Sequence, residues 1–235
     1  LRYSLGNPGN QNINAKIASS VYTYYTAYQN MFGLAAIVSQ WGNKNLKWQR
    51  TLTHNAGISA ELFNSRLQLT ADYTRLNSDP LLLNVDQPAS TGSSSVPMNI
   101  GATKTNSISV SASYEIIKQK DWYWTANIGF LNTKTTYYNI GDILEKLNEE
   151  GRANQTLLRY YDHASSSAIW TVRSLGIDPM TGNEVFVKKD GSYTYNWDSS
   201  DEVICGDTNP DIDGNIGSTV RYKGFSMTVN FRYRW

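Results

Sequence analysis

Cysteine is all but missing from this chain of 235 residues: Cys205 stands alone, so no internal disulfide can form and the redox compartment is left open. Histidine is nearly as scarce, with 2 residues, and no Cys/His set has metal-ligand spacing. Neither sign of charge is in excess. With 21 Lys and Arg against 20 Asp and Glu, the formal net charge is +1, and there is no basic, aromatic-interleaved patch. Nucleic acid is thereby excluded as a partner. No glycine-rich phosphate cradle is present. Nothing at the start resembles a signal peptide, since Leu1-Arg2-Tyr3-Ser4 already reads as the end of a strand. That implies either a removed leader or an excerpt of a longer chain. Residues 17–43 carry no charge, yet Ser, Thr, Gln and Asn interrupt them, and the purely apolar stretch MFGLAAIV is too short to span a bilayer. A helical membrane protein is ruled out.

What the chain has is aromatics: 7 Trp, 16 Tyr and 6 Phe, a 12% share, combined with a mean hydropathy of −0.46. That combination suits strands that are apolar on one face only. The final stretch shows the pattern best. Phe225, Met227, Val229, Phe231, Tyr233 and Trp235 fall on one parity; Ser226, Thr228, Asn230, Arg232 and Arg234 fall on the other. A period of two is a β-strand. From Phe225 to Trp235 the chain rises roughly 33 Å, or about 25 Å of height at a tilt near 40°, the height of the apolar band of an outer-membrane barrel.

The same alternation recurs in TLTHNAGISAELF, RLQLTADYTR, SISVSASYEI and WYWTANIGFLNT. In the first of these His54 falls on the apolar parity, near a rim. Short turns at Asn64-Ser65, near Lys118–Asp121 and at Lys223-Gly224, where glycine supplies a positive φ, make three hairpins. The intervening connections, 6–50, 78–104 and 138–213, are long. Short turns on one rim and long loops on the other is the asymmetry of outer-membrane barrels. An antiparallel sandwich would alternate too, but would seldom place such excursions at every second connection.

Inside the long loops, Asp142-Ile143-Leu144-Glu145 fits a capping box and Gly151 a terminator, predicting a helix near 143–150 whose Ile143, Leu144 and Leu147 cover the loop base. Asp178–Gly182 and Lys189-Asp190-Gly191 read as turns, making 170–204 a β-rich loop. Residues 89–97, ASTGSSSVP, read as flexible.

Two constellations could carry chemistry. Asn209, Asp211 and Asp213 before Gly214 resemble the opening of a calcium loop, but Val220 stands where a Glu is required. Asp162-His163 with Ser165, Ser166 and Ser167 has the residue types of a nucleophile set without the geometry of one. More telling are loop aromatics beside amides and acids: Trp41, Trp48, Tyr160, Tyr161, Trp170, Tyr193, Tyr195 and Trp197. Aromatic faces with planar polar groups suit sugar rings or peptide side chains.

The segments LGNPGNQN, WGNKNLKWQ, DPLLLNV, LNEEGRANQTLLRYYD, WTVRSLGIDPMTGNEVFVKKDG, GDTNPDIDGNIGSTVRYKGFSM and NFRYRW, in this order, resemble SusC/RagA-type TonB-dependent outer-membrane transporters of the Bacteroidetes. The resemblance implies a plugged barrel of about 22 strands, here represented by a later part of it, 1–235, without plug domain, TonB box or C-terminal strands. It further implies a location in the cell outer membrane, import of oligosaccharides or peptides, a SusD-like surface lipoprotein as lid, and energy from TonB through parts outside this segment. It implies no cofactor, no metal and no covalent catalysis. Lipid would meet the apolar strand faces; Arg232, Arg234, Glu61 and Asp72 would line the lumen. Trp41, Tyr161, Trp170 and Trp197 would contact ligand or lid. The alternatives are a secreted β-sandwich that binds glycans and, less favoured, a surface hydrolase using Asp162 or Glu184.

Overall fold

The computed structural model describes residues 1–9, 19–31, 33–86, 90 and 95–235. The strands are β1 (Arg2–Gly6), β2 (Val21–Asn30), β3 (Gly33–Gln40), β4 (Arg50–Leu62), β5 (Leu67–Asp79), β6 (Leu82–Asp86), β7 (Ser95–Asn99), β8 (Ala102–Lys118) and β9 (Trp122–Tyr138). After the helix α1 (Glu145–Ala153) come β10 (Ala168–Thr171), β11 (Arg173–Ile177), β12 (Glu184–Val187), β13 (Tyr193–Thr194), β14 (Val203–Asp207), β15 (Asp213–Tyr222) and β16 (Phe225–Arg234). No helix among the described residues is long and apolar enough to cross a membrane.

Seven strands form one antiparallel sheet in the order β1-β4-β5-β8-β9-β15-β16. Its register is continuous enough to read in rows. Ala60, Leu69, Ala112, Ile128, Ile216 and Phe231 lie side by side across six strands, as do Ile58, Ala71, Val110, Phe130, Gly214 and Tyr233. The intervening rows are polar apart from Leu131: Ser59, Thr70, Ser111, Gly129, Asn215, Arg232, and next to them Gly57, Asp72, Ser109, Leu131, Asp213, Arg234. Because side chains alternate faces along each strand, the sheet has one apolar wall and one polar wall. This is the antiparallel transmembrane β-barrel segment that the alternation predicts; the strands present do not close.

The three hairpin turns fall where expected, with two differences in detail. At the first, Phe63, Asn64 and Ser65 all take positive φ (56°, 56° and 62°). At the last, the left-handed residue is Lys223 (φ 50°), and Gly224 lies outside that region.

The long connections are more ordered than their sequence suggests. Within 6–50, β2 and β3 pair as a hairpin, so part of what reads as loop is strand. Of the segment read as flexible, 95–97 belongs to β7, paired with β6; 89 and 91–94 lie outside the described residues. The predicted helix is present but displaced. Gly141–Leu144 forms a 3₁₀ turn, Leu144 precedes the α-helix without a side-chain cap, and Asn154 ends it. Gly151 is inside α1 because its missing Cβ makes room for Arg159: a methyl there would lie 2.8 Å from a guanidinium nitrogen. The side chains of Asp142 and Ile143 lie outside the described residues.

The main buried core sits in the loops, with the apolar wall of the sheet left uncovered. Val85, Ile100, Tyr137, Ile140 and Leu144 are buried together, with Leu81, Leu83, Met98, Leu147 and Tyr160 packed around them. This cluster joins the β6–β7 hairpin to α1 at the end of β9, as expected for Leu144 and Leu147. The segment 168–207 is the predicted β-rich loop, with β10 paired to β14 and β11, β12 and β13 forming a small sheet.

Candidate functional site: two walls and a loop assembly

The apolar wall is exposed. Ile58, Ile108, Val110, Ile128, Ile216, Met227 and Phe231 stand open, Met227 and Phe231 at 67% each. Uncovered apolar rows this wide are far beyond the patch that a soluble monomer tolerates. A sandwich would lay a second sheet over them; no described element does so, and the sandwich reading falls with that observation. Aromatics edge the wall at the short-turn rim, where Trp122 meets Tyr222 edge to face at 6.2 Å.

The polar wall neutralises itself. Asp72 accepts two hydrogen bonds from Arg2 Nη2 (2.6 and 2.7 Å) and one from Nε (3.1 Å). Asp213 accepts from Arg232 Nε and Nη2 (2.9 and 2.6 Å) and from Arg234 Nε (3.1 Å). Glycine makes this possible: a Cβ on Gly57 would fall 2.2 Å from Asp72 Oδ1 and 2.6 Å from Arg2 Nε. Asn215 lies over Gly129 in the same way. The expected polar-wall residues Arg232, Arg234, Glu61 and Asp72 all share this face.

Three of the four predicted contact aromatics meet in one loop assembly, built on a buried ion pair. Arg159, fully buried, donates to Glu202 through Nε (2.9 Å) and Nη2 (2.5 Å) and to the Thr156 and Leu158 carbonyls. Asn148 and Tyr160 exchange hydrogen bonds, Nδ2 to the Tyr160 carbonyl and Tyr160 N–H to Oδ1. Over this base the Tyr161 and Trp170 rings meet at a tilt of 51° with centroids 5.0 Å apart, and Arg152 donates to the Tyr161 hydroxyl. The Trp170 indole N–H is shielded and without a partner. Trp197, half exposed, lines a cleft of about 580 Å³ with Glu149, Arg152, Lys189, Ser199 and Ser200. Trp41 is partly buried and lies just after β3.

A larger cleft, about 900 Å³, surrounds Trp48 with Asn43, Asn45, Lys47, Arg50 and Asp79. Asn99 clamps its wall, accepting from Lys47 N–H at 2.6 Å and donating to the Lys47 carbonyl at 2.9 Å. The sequence picks out Trp48 beside amides, but not its grouping with Arg50 and Asp79. The signal was the interleaving in WGNKNLKWQR; Asp79 arrives only through its register with Arg50.

The chemistry-bearing constellations are engaged otherwise. Asp162 accepts from the backbone N–H groups of Ile140 (2.9 Å) and Gly141 (3.4 Å), while His163 sets its ring edge-on to Tyr138. Ser165 donates to Asp207 at 2.6 Å. Burial works to raise the Asp207 carboxyl, but hydrogen bonds from Ser165, Ser167 and Asn209 hold it below its usual value. Asp213, the third oxygen of the calcium-like run, is taken by two arginines.

No family model matches the chain. Among curated proteins it is 28% identical over 204 residues to the TonB-dependent receptor P39 of Formosa agariphila, covering 87% of this chain and 19% of that one. To the TonB-dependent receptor SusC of Bacteroides thetaiotaomicron it is 27% identical over 199 residues, covering 81% and 20%. Among solved structures it matches the RagAB peptide transporter at a TM-score of 0.77 and 22% identity, over 99% of this chain and 26% of that one. The RagAB peptide importer in its closed-closed state gives 0.79, also at 22%. The chain thus spans about a fifth to a quarter of the length of the proteins it matches.

Proposed function

We propose that this chain is a section of the wall of an outer-membrane importer, the premise being its likeness to SusC/RagA-type TonB-dependent receptors, which sequence and fold comparisons alike bear out. The observation that carries the proposal is the pairing of an exposed apolar wall with a polar wall whose arginines and aspartates neutralise each other. The first wall meets lipid and the second faces the lumen. The remaining strands, the plug and the TonB box belong to the longer protein, and energy enters there through TonB.

The loops form part of the external vestibule. A tilted Tyr161–Trp170 pair and Trp197 beside Arg152 and Lys189 offer aromatic surface next to cations, which suits an oligopeptide or oligosaccharide and the SusD-like lipoprotein that closes over it. Binding is by stacking and hydrogen bonds, with release driven from the plug side and no covalent step.

Single-cysteine scanning of β16 in the full-length protein, in a Cys205→Ser background, tests the wall assignment. Positions 226, 228 and 230 should react with a water-soluble maleimide, and 227, 229 and 231 should not. Uniform labelling would overturn it. For the loops, Trp197→Ala should weaken capture of labelled oligopeptide or oligosaccharide by the full transporter without reducing its amount in the membrane.

A further inference from the structure

At the long-loop rim the apolar wall gives way to rows in which cations alternate with neutral residues. One row above Ala56, Tyr73 and Ile108, on the same face, stand His54, Arg75, Asn106 and Lys134 in register across β4, β5, β8 and β9. The next row is Leu52, Asn77, Lys104 and Thr136. Neither row contains an acid. Asp79 comes a row later, opposite Arg50, and Asp207 is the carboxylate that faces Lys134 from the loops.

The contrast with the other wall decides the matter. On the polar wall Arg2, Arg232 and Arg234 each have a carboxylate partner in the sheet. Among the described residues, no carboxylate comes within ion-pair distance of Arg75, Lys104 or Lys134. Arg75 Nε is shut off from solvent with no hydrogen-bond partner, and Lys104 Nζ rests 4.2 Å above the Tyr138 ring. Below the row, tyrosines mark the interface: Tyr3 shares a hydrogen bond with His54 Nδ1, and Tyr73 donates to Asn106. Arg75 and Lys104 are diagonal neighbours on adjacent strands, about 7–8 Å apart. Their long side chains can close on one phosphate from two sides.

We infer that Arg75 and Lys104, flanked by His54 and Lys134, form a docking site for the anionic phosphate headgroup of an outer-leaflet lipid. The occupant is a lipid because the cations sit in register directly above the apolar rows, where the acyl chains of the same molecule would lie. An acidic protein would have to reach them at the membrane surface. This inference rests on the membrane reading above.

The test uses the full-length protein purified in a neutral detergent, with native mass spectrometry of bound monophosphorylated lipid A and of its dephosphorylated form as the comparison. The phosphorylated lipid should be retained preferentially. Arg75→Gln with Lys104→Gln should weaken that retention by about fivefold per cation removed. Lys120→Gln with Lys223→Gln, at the opposite rim, should leave it unchanged. Equal retention of both lipids, or equal loss in both variants, would overturn the site. So would displacement of the lipid by inorganic phosphate at matched concentration, which would make it a site for a free anion. Failure here would leave the alternating maleimide pattern of β16 intact, whereas failure of the membrane reading would abolish that pattern first.

Discussion

Ile128 lies midway along β9 between Trp122 at one aromatic rim and Lys134 in the cationic row. Each is about 20 Å away along the strand, or about 15 Å in height at a 40° tilt. Ile128 is therefore at the bilayer midplane, 48% exposed within the chain and flanked in its row by Ala112 and Ile216. Ile128→Arg places a guanidinium in hydrocarbon and should cost about 2–4 kcal/mol. That is roughly a 30- to 700-fold change in the folding equilibrium. Thr136→Arg, on the same face of the same strand but beyond the cationic row, should cost about 0–1 kcal/mol. Denaturant unfolding of the full-length protein in lipid bilayers measures both. A water-exposed wall predicts changes within about 0.5 kcal/mol for each. Equal costs at the two positions would refute the depth assignment.

Gly57→Ala should destabilise the sheet by about 1–3 kcal/mol, because the new methyl displaces Asp72 and Arg2; an additional Asp72→Ser should recover part of that loss in the same unfolding assay. Glu202→Gln leaves the buried Arg159 unpaired and should cost the loop assembly about 3–5 kcal/mol; hydrogen exchange should rise across 144–207 while β4, β5, β8 and β9 stay protected. Asp178 is held below its usual pKa first by the Met180 backbone N–H, then by Tyr195 and Thr181. A depressed folded pKa contributes stability above the unfolded value of about 3.9 and loses it as pH falls through the folded one. Exchange in the β11–β12 hairpin should therefore rise below about pH 4 in the native chain and lose that dependence in Asp178→Asn.

The sheet was legible where one face must be apolar and the other polar, and only there. Alternation locates β8 at 107–116, but the strand runs from Ala102 to Lys118. Similarly β9 continues past residue 133 to Tyr138. Beyond the apolar band both faces are polar, as in Lys104, Thr105, Asn106 and Ser107 against Lys134, Thr135 and Thr136. With no lipid to satisfy, the period-two signal disappears while the backbone ladder continues. β2 and β3 were hidden for the opposite reason: in VYTYYTAY and GLAAIV apolar residues fall on both parities, so no period of two appears. The loop aromatics were legible as residues, but their grouping was not. Tyr161, Trp170 and Trp197 are joined through Arg152, Arg159 and Glu202, and the Arg159–Glu202 pairing, across 43 positions of sequence, has no local pattern. Gly151 misled for a related reason: it reads as a helix terminator, but its role is to admit a guanidinium from outside the helix.

The placement of the buried groups separates wall from loops physically. Within the chain, the sheet holds together by its ladders and by ion pairs across its polar wall, while its apolar wall gains its stabilisation from lipid. The loop assembly carries its own core of Val85, Ile100, Tyr137, Ile140 and Leu144 and its own buried ion pair. Of these core residues only Tyr137 belongs to the large sheet, at the end of β9. A loop assembly built this way can vary at cleft residues such as Trp197, Lys189 and Ser199 without disturbing the strands below. The converse also holds: substitutions on the wall should alter insertion and leave the geometry of the Tyr161–Trp170 pair unchanged. A Phe231→Arg protein held in detergent, with the Trp170 environment followed by fluorescence, should therefore retain the native loop signal while failing to enter bilayers. Loss of both together would mean that wall and vestibule fold as one unit.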